Sequence, residues 1–267
     1  MFWSRVLFSR NSCNSNYEKK GIFPTFGPDN GDLHAGSLGF TDARLLLFPV
    51  KSVQGVFAWI TCPFVLERFR NDLKLAKKGE PSVLNNLDNI EYTVPSSSGL
   101  IVKDNRIILE EYLFKITPDE NCTKLCQWLA ENILPDNAEY KFWRGKMTKD
   151  VVVLSNTDFR DFVTLSTEVI ARTKIDSKTG TVDKNVGGLW YEEYLPSDSI
   201  LYALVLATPI FSKDTGMFSN EGRVMTFFEK GLPRVIQIGG NATLGKGLVH
   251  TKILKDSGNG GKNNGRQ

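Results

Sequence analysis

Apolar residues fall in short runs separated by polar, turn-forming segments. Residues 43–50 (ARLLLFPV) and 53–61 (VQGVFAWIT) are strand-length runs joined by Lys51 and Ser52, which predicts a hairpin. Pro49 has no backbone donor, so its strand is expected to lie at an edge or end there. Pro63 fits the first position of a helix, with Val65, Leu66, Phe69 and Leu73 following at helical spacing. Residues 79–105 read as loop and 106–116 as one strand. Thr117-Pro118-Asp119-Glu120 then has the form of a capping box with proline at the first helical position. Cys122, Leu125, Cys126, Leu129 and Ile133 form one apolar helical stripe behind it.

Farther along, 151–154 reads as a short buried strand, and Ser155 with Asp158 starts a short helix. Residues 163–174 and 187–195 are strands around a polar segment, DSKTGTVDK, which together predict a long hairpin with a polar tip. Residues 200–211 read as a strand and about 220–231 as a helix. Strands over 235–238 and 248–254 flank a glycine-rich loop. Strands mixed with amphipathic helices, several joined by hairpins, predict an α+β fold. Residues 1–40 are irregular, 41–254 form the ordered domain, and 255–267 (KDSGNGGKNNGRQ) have the composition of a disordered tail.

Composition narrows the functional classes. The chain has 267 residues, 33 Lys plus Arg and 30 Asp plus Glu, giving a net charge of +3. That total leaves a nucleic-acid partner open, because a local patch can be basic while the sum is nearly balanced. No apolar run is long enough to span a membrane, and residues 1–10 lack the apolar core of a secretory signal. Four scattered cysteines fit reduced thiols in a cytoplasmic protein better than a disulfide framework.

Four features carry candidate chemistry. Residues 240–247 (GNATLGKG) fit the phosphate-loop spacing, but Gly247 stands where a magnesium-binding Ser or Thr belongs, and a strand is predicted where a helix should follow. A glycine turn is the plain alternative. Between them lies a loop whose N–H groups approach an RNA phosphate, with Lys246 adding charge. Cys122 and Cys126 share the apolar helix face without further ligands nearby, which suits core residues rather than zinc. His34 and His250 are the two histidines, and either is more often structural than a base for RNA cleavage. The long hairpin bears Arg172, Lys174, Lys178 and Lys184. It reads either as a solvated surface hairpin or as a basic finger against a nucleic-acid backbone. At its return lies Trp190-Tyr191-Glu192-Glu193-Tyr194, whose aromatics and carboxylates suit base stacking, phosphate orientation or the two faces of a plain strand.

Three segments together, residues 41–69, 189–196 (LWYEEYLP) and 235–249 (VIQIGGNATLGKGLV), resemble the RAMP-superfamily backbone subunits of type III-B CRISPR effectors, the fourth subunit of the Cmr module. The resemblance implies a ferredoxin-like (RRM-type) RAMP core with insertions and a long β-hairpin thumb at about 170–189. It implies guide CRISPR RNA and target RNA as ligands, copies of the chain in a filament, and other Cmr subunits as partners, with no membrane. Arg172, Lys174 and Lys178 on the thumb, and Gly239, Gly240, Gly245, Lys246 and Gly247 in the loop, would meet RNA.

The family is also a metal-dependent endoribonuclease, so the resemblance implies magnesium or manganese if cleavage is retained. It places Glu192 and Tyr194 as assisting residues, with Glu193 an equally near neighbour. The family's first strand, aspartate loop and Gly-Ser-Ser-x-Lys-Gly segment have no match in residues 1–25, and Asp29, Asp32 and Asp42 do not match the aspartate loop. The resemblance starts near Phe26-Gly27-Pro28, and the chain is expected to lack that strand and loop.

Overall fold

A computed structural model describes residues 18–28, 34–85, 87, 89–182, 188–211 and 216–254. In chain order these form a π turn (Glu18–Ile22), α1 (Phe23–Phe26), β1 (Leu38–Phe40), β2 (Arg44–Lys51), β3 (Phe57–Thr61), α2 (Pro63–Leu75) and β4 (Thr93–Pro95). Next come β5 (Arg106–Leu109), β6 (Tyr112–Lys115), β7 (Thr117–Asp119), α3 (Glu120–Asn132), α4 (Lys141–Met147), β8 (Val151–Val153) and α5 (Asn156–Leu165). The last elements are β9 (Glu168–Arg172), β10 (Trp190–Tyr194), β11 (Ile200–Tyr202), β12 (Val205–Ala207), α6 (Glu221–Gly231), β13 (Val235–Gln237) and β14 (Leu248–His250). Helices and mixed strands make an α+β fold. Residues 1–17, within the stretch expected to lack the family's first strand, and the 255–267 tail lie outside the described residues. The chain divides into two compact units, one of residues 44–202 and one drawn from 1–43 and 203–255.

The 44–202 unit is built on a six-stranded sheet in the order β11-β2-β3-β8-β4-β7. β2 and β3 are antiparallel, with Phe48 opposite Ile60, and β8 runs parallel to β3. The unbroken apolar run of β2 reflects burial on both sheet faces, since Leu46, Leu47 and Phe48 are fully buried. Pro49 does not end the strand. The ladder to β11 stops at Leu47, so the missing N–H falls beyond it. α2 opens on Pro63 and buries Val65, Leu66, Phe69 and Leu73, as its spacing predicts.

Several boundaries differ from the sequence expectation: β4 arises inside the stretch 79–105 that reads as loop, and α5 runs through Leu165, so the strand expected from 163 begins at Glu168. Residues 117–119 pair in parallel with β4, so α3 begins at Glu120, and Asp119 rather than Thr117 caps it by accepting from the Cys122 N–H at 2.7 Å. The stretch 106–116 is a hairpin, because Glu110 takes φ +51° and turns the chain back onto β5. Residues 200–211 break into β11 and β12, which lie in different units. Four of the five stripe residues, Cys122, Leu125, Cys126 and Leu129, are fully buried, whereas Ile133 follows the last helical residue and is half-buried.

The second unit pairs β1 with β12 and β13 with β14, both antiparallel. Ile22, Phe228 and Ile236 form its core, with the Phe40 ring edge-on to Phe228 at 5.6 Å. Asn220 caps α6 by accepting from the Arg223 N–H at 3.1 Å.

Candidate nucleic-acid interface

The register of β9 and β10 sets Arg172 opposite Trp190, Ile170 opposite Glu192 and Glu168 opposite Tyr194. Alternation therefore places Arg172, Trp190, Glu192 and Tyr194 on one face, and Val169, Tyr191 and Glu193 on the other. The first face is organised by the Glu192 carboxylate. Its Oε2 accepts from Arg172 Nε at 2.5 Å and from the Tyr194 hydroxyl, and its Oε1 accepts from Trp190 Nε1 at 3.0 Å. Arg172 also donates from Nη2 to the Tyr194 oxygen at 3.3 Å.

These donors decide the protonation state. The Tyr194 hydroxyl, then Trp190 and Arg172, hold the Glu192 carboxyl below its ordinary value. The Arg172 guanidinium is raised, first by Tyr194 and then by Glu192. Glu192 is thus a persistent anion that ties the two strands together, and as such a poor proton donor. Glu193 points to the opposite face, where Thr167 donates to it at 2.6 Å. The geometry separates two carboxylates that adjacent sequence numbers could not.

Arg172 spends its guanidinium inside the hairpin. Lys174 and Lys178 have exposed side chains nearer the tip. The tip is an Asx turn: Asp176 Oδ1 accepts from the N–H groups of Lys178 at 2.7 Å and Thr179 at 3.2 Å. Lys184 lies outside the described residues.

The glycine loop is the turn between β13 and β14. It holds one 3-10 turn, Ala242–Leu244, and leads into a strand rather than an α-helix whose N-terminus could hold a nucleotide phosphate, so the phosphate-loop reading fails on geometry. Gly239, Gly245 and Gly247 all have positive φ, and Asn241 is left-handed. Gly247 is the stringent position: a Cβ there would sit 1.9 Å from the Ile238 carbonyl oxygen. Gly239, Gly240 and Gly245 are exposed, and Lys246 is half-buried.

The remaining candidates are not gathered at either place. His34 contacts only the neighbouring Ala35 carbonyl among its described bonds, and His250 sits on β14. Asp42 is exposed in the β1–β2 connection, while Asp29 and Asp32 lie outside the described residues. Burial and the Cys122 partner raise the Cys126 thiol, with the Cys122 hydrogen bond the larger cause. Among the described residues no three His, Cys, Asp or Glu side chains come together as metal ligands. Glu192 is already paired with Arg172, and Glu193 faces away, so these residues do not fit a divalent cation. Among the described residues no helix is long and apolar enough to cross a membrane.

Sequence reading missed a buried ion pair between Lys146 and Asp150. Lys146 on α4 donates to the carbonyls of Gly55 at 2.7 Å and Phe57 at 2.6 Å, and to Asp150 Oδ2 at 2.7 Å. Its ammonium also sits 4.3 Å from the Phe57 ring centre. Only the i,i+4 spacing of Lys146 and Asp150 was available as a signal. This network fastens the β2–β3 turn to α4.

Comparison with known proteins places these features. The RAMP superfamily model matches residues 2–250, so the match includes the stretch before Phe26. The chain is 36% identical over 260 residues to the CRISPR system Cmr endoribonuclease Cmr4 of Pyrococcus furiosus, covering 96% of this chain and 83% of that protein. It is 27% identical over 254 residues to the CRISPR system CMR subunit Cmr4 of Saccharolobus solfataricus, covering 88% and 77%. The crystal structure of oligomeric Cmr4 from Pyrococcus furiosus superposes with a TM-score of 0.64 at 29% identity, over 93% of this chain and 82% of that one.

Proposed function

The chain belongs to the RAMP superfamily, and from that premise we propose that it is a backbone subunit of a type III-B CRISPR RNA-guided effector. In this role it holds guide RNA and target RNA in the cytoplasm, packs beside copies of itself and joins other Cmr subunits in antiviral defence. The observation that carries the reading is the 36% identity to a Cmr4 protein across 96% of the chain. The hairpin and the glycine loop are the two surfaces on which it sets RNA contact. Lys174, Lys178 and Lys246 supply cations, and Gly239, Gly240 and Gly245 let backbone approach phosphate, while Gly247 closes the loop.

A filament on RNA predicts that bound mass follows RNA length. Light scattering of the chain with repeat-derived guides of increasing length should show stepwise growth. A mass independent of guide length would contradict the backbone role.

Cleavage on this chain is the second reading, favoured by the name of its relative and by the Glu192–Tyr194 contact. The engagement of Glu192 by three donors of its own hairpin argues for a held structural carboxylate instead. Target RNA incubated with the assembled complex and magnesium or manganese should stay intact. Cuts at regular spacing would establish the nuclease.

A further inference from the structure

Gln237 ends β13, and its side-chain amide reaches into the glycine loop. Its Nε2 lies 2.9 Å from the Gly239 carbonyl oxygen, 3.2 Å from that of Ile238, and 3.4 Å from those of Gly240 and Lys246. All four neighbours are acceptors, so the amide must turn its NH2 end toward them. Two protons shared among four oxygens give two shorter bonds and two longer ones, as the distances show.

In a trans peptide the C=O and the next N–H point in opposite directions. The carbonyls of Ile238, Gly239 and Gly240 turn toward Gln237, so the N–H groups of Gly239, Gly240 and Asn241 turn away from it. A Cβ added at Gly239, Gly240 or Gly245 would meet nothing within 4 Å, which leaves room for a ligand backbone to approach. A loop with carbonyls gathered on one side and N–H groups on the other has the polarity an anion requires.

We infer that Gln237 is a positioning residue for RNA: it collects the loop carbonyls and so presents the Gly239 and Gly240 N–H groups to phosphate oxygens. The inference rests on the proposed function, which makes RNA the ligand of this loop. Without the amide, those carbonyls are free to turn outward, where their negative ends repel phosphate.

The test uses the full chain and a single-stranded, repeat-derived RNA, with affinity measured at several salt concentrations. Gln237→Met keeps the length of the side chain and removes its donors. Binding should weaken about tenfold, with the slope of affinity against salt unchanged, because no cation is lost. Lys246→Ala should instead lower that slope by about one. With isotope-labelled glycine, the Gly239 and Gly240 amide resonances should move on RNA addition in the parent chain and stay in place in Gln237→Met. A loss of stability alone would not produce that difference. Full affinity and unaltered resonance shifts in Gln237→Met, beside weakened Lys246→Ala, would overturn the inference and leave the loop's RNA role standing. Unchanged affinity in both variants would overturn the RNA role of the loop, and the inference with it.

Discussion

Tyr202 shows how strongly a fold can alter one side chain. Its hydroxyl donates to Asp72 Oδ2 at 2.7 Å, and Arg44 donates to the same oxygen at 2.6 Å. Burial, then the Asp72 contact, pushes the phenol up from 10.0 to about 12. A raised phenol favours the protonated, folded form. Its contribution is therefore complete below the ordinary value and is lost as pH climbs through about 12. Tyr202→Phe should remove this pH dependence from an alkaline unfolding curve, and a variant curve identical to the parent's would refute the assignment. Lys146→Met should cost more at neutral pH. It strands a nearly buried Asp150 and two carbonyls, so a loss of about 3–5 kcal/mol is expected in urea unfolding. Neither network could be read from sequence, because Lys146 meets Gly55 and Phe57, and Asp72 meets Arg44 and Tyr202, only after the sheet has formed.

At the scale of elements, periodic apolar stripes were legible and strand ends were not. The stripes of α2 and α3 depend on spacing alone. The start of α3 depends on competition: residues 117–119 gain a sheet ladder with β4 and leave the cap to Asp119. The split of 106–116 hangs on one left-handed residue, Glu110, which carries no glycine or asparagine signal. The β13–β14 turn was legible through its glycines, and Gly247 tests it. Gly247→Ala forces a Cβ into the Ile238 carbonyl, so the β13–β14 hairpin should lose about 1–3 kcal/mol. Hydrogen exchange should speed up in β13 and β14 while β2 and β3 keep their protection. Uniform behaviour across both would contradict the local account. The thumb makes a complementary prediction. Its tip is closed by Asp176 bonds local to the turn, so deleting 176–184 should weaken RNA binding and leave the unfolding midpoint nearly unchanged.

For the whole molecule, the six-stranded sheet belongs to the unit of residues 44–202, and residues 1–43 and 203–255 make a second, smaller unit. The second unit draws β1 and β12 together across a long sequence separation, so it was not legible as a unit in the sequence. Family membership was legible, because the segments 41–69, 189–196 and 235–249 carry it together. The facing of the candidate residues was not. Adjacent carboxylates at 192 and 193 are separated only by strand alternation, and that alternation is fixed once β9 supplies the register.

The most direct measurement is a native pull-down of the tagged chain from its own cells, with sequencing of the RNA it retains. Assembly as a guide-holding backbone predicts short RNAs that share a repeat-derived tag, recovered together with other Cmr subunits. A soluble chain that brings down neither RNA nor partner subunits would contradict the account.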